Sequence, residues 1–226
     1  MRSTFILGLG VALVDWIAVA RANRKLEYWA KPTVMVILIL GLVLDGGILS
    51  SALGGLFLAG LLFSLLGDVL LMLPSNQFIP GLLAFLAAHV LYVLAFNLEG
   101  LVLTLPSAAL AMLVSAIAIP ILLRVRRALQ AAGRNRLWLP VAVYGVVLAA
   151  TLWSTLGTTL RPSWPAAAAA LVAIGGGLFF TSDALNAWER FVNRFPYSRV
   201  IVMVTYHLAQ YLLAAGVVLA IASGAG

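Results

Sequence analysis

SALGGLFLAGLLFSLLGDVLLML, residues 51–73, carries a single charged group, Asp68. A helix needs about 20 consecutive apolar residues to cross a hydrocarbon core of roughly 30 Å, and this run supplies them. A carboxylate in such a run costs a few kcal/mol or more, so a chain that keeps one has a use for it. The arrangement returns in residues 164–187, where Asp183 sits in Ser182-Asp183-Ala184-Leu185-Asn186. Each acid is followed one helix later by a histidine beside tyrosine: His89 with Tyr92, and His207 with Tyr206 and Tyr211.

Working outward, the whole chain has the same character. It has 226 residues, 64% hydrophobic and only 9% charged. Soluble domains carry about 25% charged residues, so this chain cannot cover its surface in water. It reads as an all-α, polytopic integral membrane protein, helical rather than a barrel because the apolar runs are long. The chain has no cysteine, which excludes disulfides, thiolate catalysis and cysteine metal sites. The first apolar stretch holds Asp15 and leads straight into another span, so it reads as a retained helix rather than a cleaved leader.

Eight transmembrane helices are expected, at 4–20, 32–49, 51–73, 78–97, 101–123, 137–160, 164–187 and 199–223. Lys31-Pro32, Asp45-Gly46-Gly47, Pro74-Ser75-Asn76, Asn97 to Gly100, the segment 124–136, Arg161-Pro162 and Asn193 to Ser198 mark the breaks. The short connections leave no room for a soluble unit, so residues 1–226 form one integral membrane domain. The net charge of +7 resides in short loops, which excludes nucleic acid as the partner and instead encodes orientation. Twelve of the fourteen Lys and Arg residues fall in loops 1–2, 5–6 and 7–8; Arg2 and Arg161 lie on the other side. The positive-inside rule puts both termini outside and gathers Asp15, Asp68, Asp183 and His207 in the cytoplasmic-leaflet half, with His89 about three turns in, near the midplane. Asp45 and Glu99 fall at outer helix ends and read as solvated.

Asp68 and Asp183 are 115 residues apart, and His89 and His207 are 118 apart. Four helices per unit leaves the halves in one orientation, so a parallel four-plus-four repeat is expected, with both acids facing one central cavity. Small residues suit close packing in lipid: Gly54, Gly55, Gly60, Ala166 to Ala170, Gly175 to Gly177, and Ala214 to Gly216. The other reading of Gly175 to Gly177 is that they loosen the seventh helix to shape a pocket.

Two carboxylates on one cavity suit acid–base hydrolysis, one kept protonated by burial and by its neighbour, the other working as base. Ser64 and Asn186 each lie one turn from an aspartate and are placed to orient it. Asp15 reads as snorkelling or pairing with Arg21. Lys31 reads as an anchor at the start of the second span, with an anionic headgroup as its other use. Tyr206 and Gln210 share a helix face at i,i+4. The sequence has no H-E-x-x-H pair, G-x-S-x-G elbow or phosphate loop. A proton-coupled transporter of lipid or small molecules is the rival class, because intramembrane Asp and His also build proton relays.

Five stretches in order resemble the YhhN family: Lys31 to Met35, Phe63 to Met72, Phe85 to Tyr92, Leu178 to Leu185 and Thr205 to Gln210. That family includes the eukaryotic transmembrane lysoplasmalogenases. The resemblance implies an eight-helix enzyme that opens the vinyl ether of a lysophospholipid, releasing a fatty aldehyde and a glycerophospho-ethanolamine or -choline, without a cofactor or metal. It implies Asp68 and Asp183 as the catalytic pair, with His89 assisting. Lys31, Tyr92, Ser182, Asn186, Tyr206, His207 and Gln210 are expected to bind substrate, and the alkenyl chain to enter sideways from membrane lipid. The expected location is a bacterial inner (cell) membrane.

Overall fold

The computed structural model describes residues 2–44, 47–73 and 77–224. Among them are eight α-helices: α1 Arg2–Ala20, α2 Arg24–Leu44, α3 Ala52–Met72, α4 Phe78–Phe96, α5 Leu105–Ala131, α6 Trp138–Gly157, α7 Ala166–Phe191 and α8 Ser198–Ala222. Seven of these, α2 to α8, are long and apolar enough to cross a membrane, and α1 is shorter. Side chains such as Ile6, Met112, Val146 and Ile174 stand exposed around the bundle. This is an all-helical integral membrane protein, since such a surface is stable only against lipid. The break readings at Asp45-Gly46 and at Pro74-Ser75-Asn76 lie outside the described residues.

Five boundaries differ from expectation by four residues or more, among them the end of α2 at Leu44 and of α7 at Phe191; the other three have a local reason. The helix α2 begins at Arg24, because Asn23 Oδ1 accepts from the Leu26 amide at 3.2 Å and starts it a full two turns earlier. Pro32 therefore lies inside α2 instead of breaking it, and Lys31 is not at the helix start. The helix α5 starts only at Leu105, where Thr104 caps the Ser107 amide, and runs on through the arginine segment to Ala131. It continues because Val125 and Leu129, at i,i+4, are buried against Val141. At 27 residues α5 is about 40 Å long, so its basic end projects past a 30 Å core unless it tilts.

The helices α1 and α2, α3 and α4, and α7 and α8 pack as pairs. Contacts of α2 with α3, of α4 with α6, of α6 with α7 and of α1 with α8 close the pairs around a core. The helix α5 lies at the periphery against α6 and α7. Two glycines set the spacing of the tightest pairs. A methyl at Gly60 would come 2.4 Å from the Tyr92 ring, and one at Gly216 would come 2.8 Å from the Ala168 carbonyl. The run Gly175 to Gly177 does not loosen α7, which is continuous there. Gly175 and Gly176 pack on Leu213 and Thr155, while Gly177 faces open space. Gly216→Val should force α7 and α8 apart at a cost of about 1–3 kcal/mol, read as a lower Tm in detergent. Gly177→Ala should leave the Tm unchanged or slightly raised.

Candidate functional site

Asp68 is the only charged residue of α3, in the helix's last two turns. It is 1% exposed, so its carboxylate has lost its water and needs protein partners. Lys31, itself buried on α2, brings Nζ to 2.9 Å from Oδ1. Tyr206 on α8 donates to Oδ2 at 2.6 Å. Lys31 is thus the buried counter-ion of Asp68, because the early start of α2 carries it inside the bundle.

Asp183 on α7 has a different pair of partners. His89 Nε2, from α4, lies 3.1 Å from Oδ2, and the Tyr144 hydroxyl, from α6, donates to the same oxygen. His89 Nδ1 lies 3.2 Å from Thr151 Oγ1, whose own hydroxyl donates to the Val147 carbonyl at 3.0 Å. Tyr144 and Thr151 escaped the sequence reading. The signal for Tyr144 was a lone phenol in an apolar helix, at a place where a four-plus-four repeat asks for a counterpart of Lys31.

The two carboxyls line one cavity of about 80 Å³, together with Lys31, Tyr144, Ser182, Asn186 and Tyr206. That volume holds a few waters, at about 10–15 Å³ each. Ser182 turns its hydroxyl to the Val202 carbonyl at 3.0 Å. Asn186 lines the wall, while the hydrogen-bonding partners of Asp183 are His89 and Tyr144. Ser64 pairs with Tyr92 at 3.4 Å instead of orienting Asp68. Tyr92 donates to Gln210 Oε1 at 3.1 Å, so Tyr92 and Gln210 form a buried layer behind the cavity. His89 reaches the cavity only through Asp183.

His207 belongs elsewhere. It is fully buried on α8 and accepts a hydrogen bond from Trp16 Nε1 on α1 at 3.0 Å. Asp15, expected to snorkel or pair with Arg21, is also fully buried, and its oxygens have no hydrogen-bond partner among the described residues. The close packing of α1 on α2 and α8 denies its side chain a route to water.

Two larger spaces join the cavity. One is a polar vestibule of about 300 Å³ at the basic end, lined by Arg24, Arg190, Arg194, Arg199, Glu27 and Glu189. It shares Lys31, Asn186 and Arg190 with the cavity. Arg199 is tied to Glu27 at 2.5 Å, and Arg190 lies over the Phe78 ring at 4.0 Å. The other is an apolar groove of about 350 Å³ between α5, α6 and α7, which shares Val141, Tyr144, Asp183 and Ala187 with the cavity. Glu99 is partly exposed and paired with Arg161 at 3.6 Å, away from these spaces. Asp183 and His89 are the nearest approach to a metal-ligand set; among the described residues no three His, Asp or Glu side chains converge.

This chain is similar to curated proteins of known name. Human lysoplasmalogenase TMEM86B is 34% identical over 153 residues, covering 68% of this chain and 59% of the human protein. The mouse lysoplasmalogenase TMEM86B is 30% identical over 92% of this chain and 82% of its own length. Human lysoplasmalogenase TMEM86A is 32% identical over 69% of this chain and 62% of its own. No solved structure matches the chain. The YhhN family pattern matches residues 26–217, and the chain belongs to the YhhN family.

Proposed function

We propose that this protein is a membrane-embedded hydrolase that cleaves the vinyl-ether bond of lysoplasmalogens. The observation that carries this reading is one cavity, lined by two carboxyls, that shares walls with a basic vestibule and with an apolar groove. A lysophospholipid has the matching order of parts: an anionic headgroup, a reactive ether and one long chain. The names of the similar proteins support the same substrate class.

The proposed roles follow from the partners of each acid. Thr151 gives its hydroxyl to a backbone carbonyl, so it accepts from His89 Nδ1–H. A neutral His89 then turns Nε2 toward Asp183, and the proposed reaction starts with the shared proton on Asp183. Asp183, which borders the groove, delivers this proton to the alkene carbon next to the ether-bearing one. The oxocarbenium ion that forms is stabilised by the Asp68 carboxylate, which is paired with the Lys31 ammonium and accepts from the Tyr206 hydroxyl. Water adds to the oxocarbenium carbon and yields its proton to Asp68. The hemiacetal then loses its hydroxyl proton to Asp183 while Asp68 returns one to the glycerol oxygen. Aldehyde and glycerophospholipid leave, and both acids regain their starting states.

The finer architecture belongs to the same proposal. The eight helices are eight spans of one domain, 1–226, in the bacterial inner membrane, with both termini outside and the cavity in the cytoplasmic-leaflet half. The distribution of Lys and Arg supports this orientation. A parallel repeat is supported by the partners of the acids. Asp68 on α3 takes partners from α2 and α8, and Asp183 on α7 takes them from α6 and α4, the same pattern shifted by four helices.

Purified protein in detergent should release aldehyde from a lysoplasmalogen without any ion gradient; release only across a gradient-bearing vesicle, or none, rejects the hydrolase in favour of the transporter. Asp68→Asn and Asp183→Asn should each lower kcat by about 10²- to 10⁴-fold with an unchanged elution profile. Lys31→Met leaves Asp68 buried and unpaired, so it should cost about 3–5 kcal/mol of stability, and Lys31→Met with Asp68→Asn should recover most of that without recovering turnover. Arg190→Ala should raise KM about tenfold or more with a smaller change in kcat, because it removes a charged donor from the headgroup and not from the reacting atoms.

A further inference from the structure

We infer that Trp153 forms the floor of the apolar groove and sets the length of alkenyl chain the enzyme accepts. This rests on the reading of the groove as the chain site. The groove starts at Tyr144 and Asp183, where the reactive carbons must lie, and follows α6 and α5 away from them to Trp153, Val114 and Ala111. There the Trp153 indole crosses from α6 to α5 and donates to the Ser107 carbonyl at 3.0 Å. Ser107 is buried, one turn before Ala111, so this bond pins a large flat ring across the end of the space. Between the ends the wall is made mostly of small and branched side chains, Ala118, Ala149 and Ala150 among them, with the Phe180 ring packed back against Leu148 and Leu152. Tyr144 to Trp153 is nine residues of helix, about 13 Å, close to the ~15 Å depth of one leaflet. A chain lying along α6 therefore runs from the acids to the indole in roughly the length it occupies in the membrane.

Chain selectivity arises at this floor because the remaining wall does not discriminate. A methylene that fits is buried, and one that meets the indole must bend or displace it. A single methylene in an apolar pocket is worth about tenfold or more in kcat/KM.

The test compares dodecenyl, hexadecenyl and eicosenyl lysoplasmalogens on the wild type, Trp153→Ala, Trp153→Phe and Ala118→Phe. Wild type should prefer hexadecenyl. Trp153→Ala should move the preference toward eicosenyl by about tenfold in the ratio of kcat/KM values, and Ala118→Phe, which blocks the groove midway, should move it toward dodecenyl. Trp153→Phe keeps a ring but loses the bond to Ser107, and should shift the profile less than alanine does. Thermal stabilisation by lysophosphatidylcholines of the same three chain lengths gives the same ordering without turnover. Equal chain-length ratios in wild type, Trp153→Ala and Ala118→Phe, by turnover and by thermal shift, overturn the floor. Failure of the wild type to cleave any vinyl ether overturns the hydrolase reading instead, and the thermal shifts then still decide the floor.

Discussion

The ion pair between Lys31 and Asp68 is the constraint around which the bundle is arranged. Two opposite charges in hydrocarbon are tolerable only at hydrogen-bonding distance and with their remaining polar atoms occupied. Nζ lies 2.9 Å from Oδ1, and Tyr206 occupies Oδ2. That single requirement fixes α2, α3 and α8 against one another at one depth. The early start of α2, set by the Asn23 cap, is what brings Lys31 within reach of Asp68. Asp183 imposes a milder version of the same demand on α4, α6 and α7, met by an imidazole and a phenol instead of an ammonium.

Holding two acids this way leaves a space between them that neither the lipid nor the core can fill. The cavity is small, about 80 Å³, and its neighbours differ sharply in character. The vestibule is lined by charge, and the groove by aliphatic walls. A soluble metabolite would gain nothing from the groove, and a neutral hydrocarbon nothing from the vestibule. Only an amphiphile uses both, and a single groove favours one chain over two. The proposed lysophospholipid follows from this arrangement of spaces as much as from the similarity to named proteins.

The sequence made the class, most helices and the pairing of Asp68 with Asp183 on one cavity legible, because long apolar runs and charges within them are strong local signals. It misjudged what depends on a neighbouring helix. Lys31 next to Pro32 looks like an end-of-helix anchor, and only the cap at Asn23 and the packing of α2 on α3 turn it inward. Asp15 looks free to snorkel until α8 covers it. His207 repeats the spacing of His89 by eye, yet the next residue, Tyr206, faces the cavity while His207 faces Trp16. Adjacent residues on a helix point about 100° apart, so one position of slippage reverses a side chain's role. Tyr144 carried only a weak signal, a lone phenol about two turns inside an apolar helix.

The differing partners are what make the two acids chemically distinct. In the proposed repeat, α3 and α7 are equivalent, and each acid draws one partner from the preceding helix and one from the fourth helix of the other half. Had both kept identical partners, the two carboxyls would have equal proton affinity, and neither would be marked as donor. Lys31 on one side holds a negative charge in place. On the other side His89, held at Nδ1 by Thr151, faces Asp183 through Nε2. In the proposed mechanism an acid and a base separated by one small cavity need that asymmetry, and it comes from a lysine and a tyrosine on one carboxyl against a histidine and a tyrosine on the other. Of the two acids the groove adjoins only Asp183, so in the proposed reaction the alkene meets Asp183 and the oxocarbenium carbon faces Asp68. Reversing the partners without moving the groove would put the proton on the wrong side of the substrate.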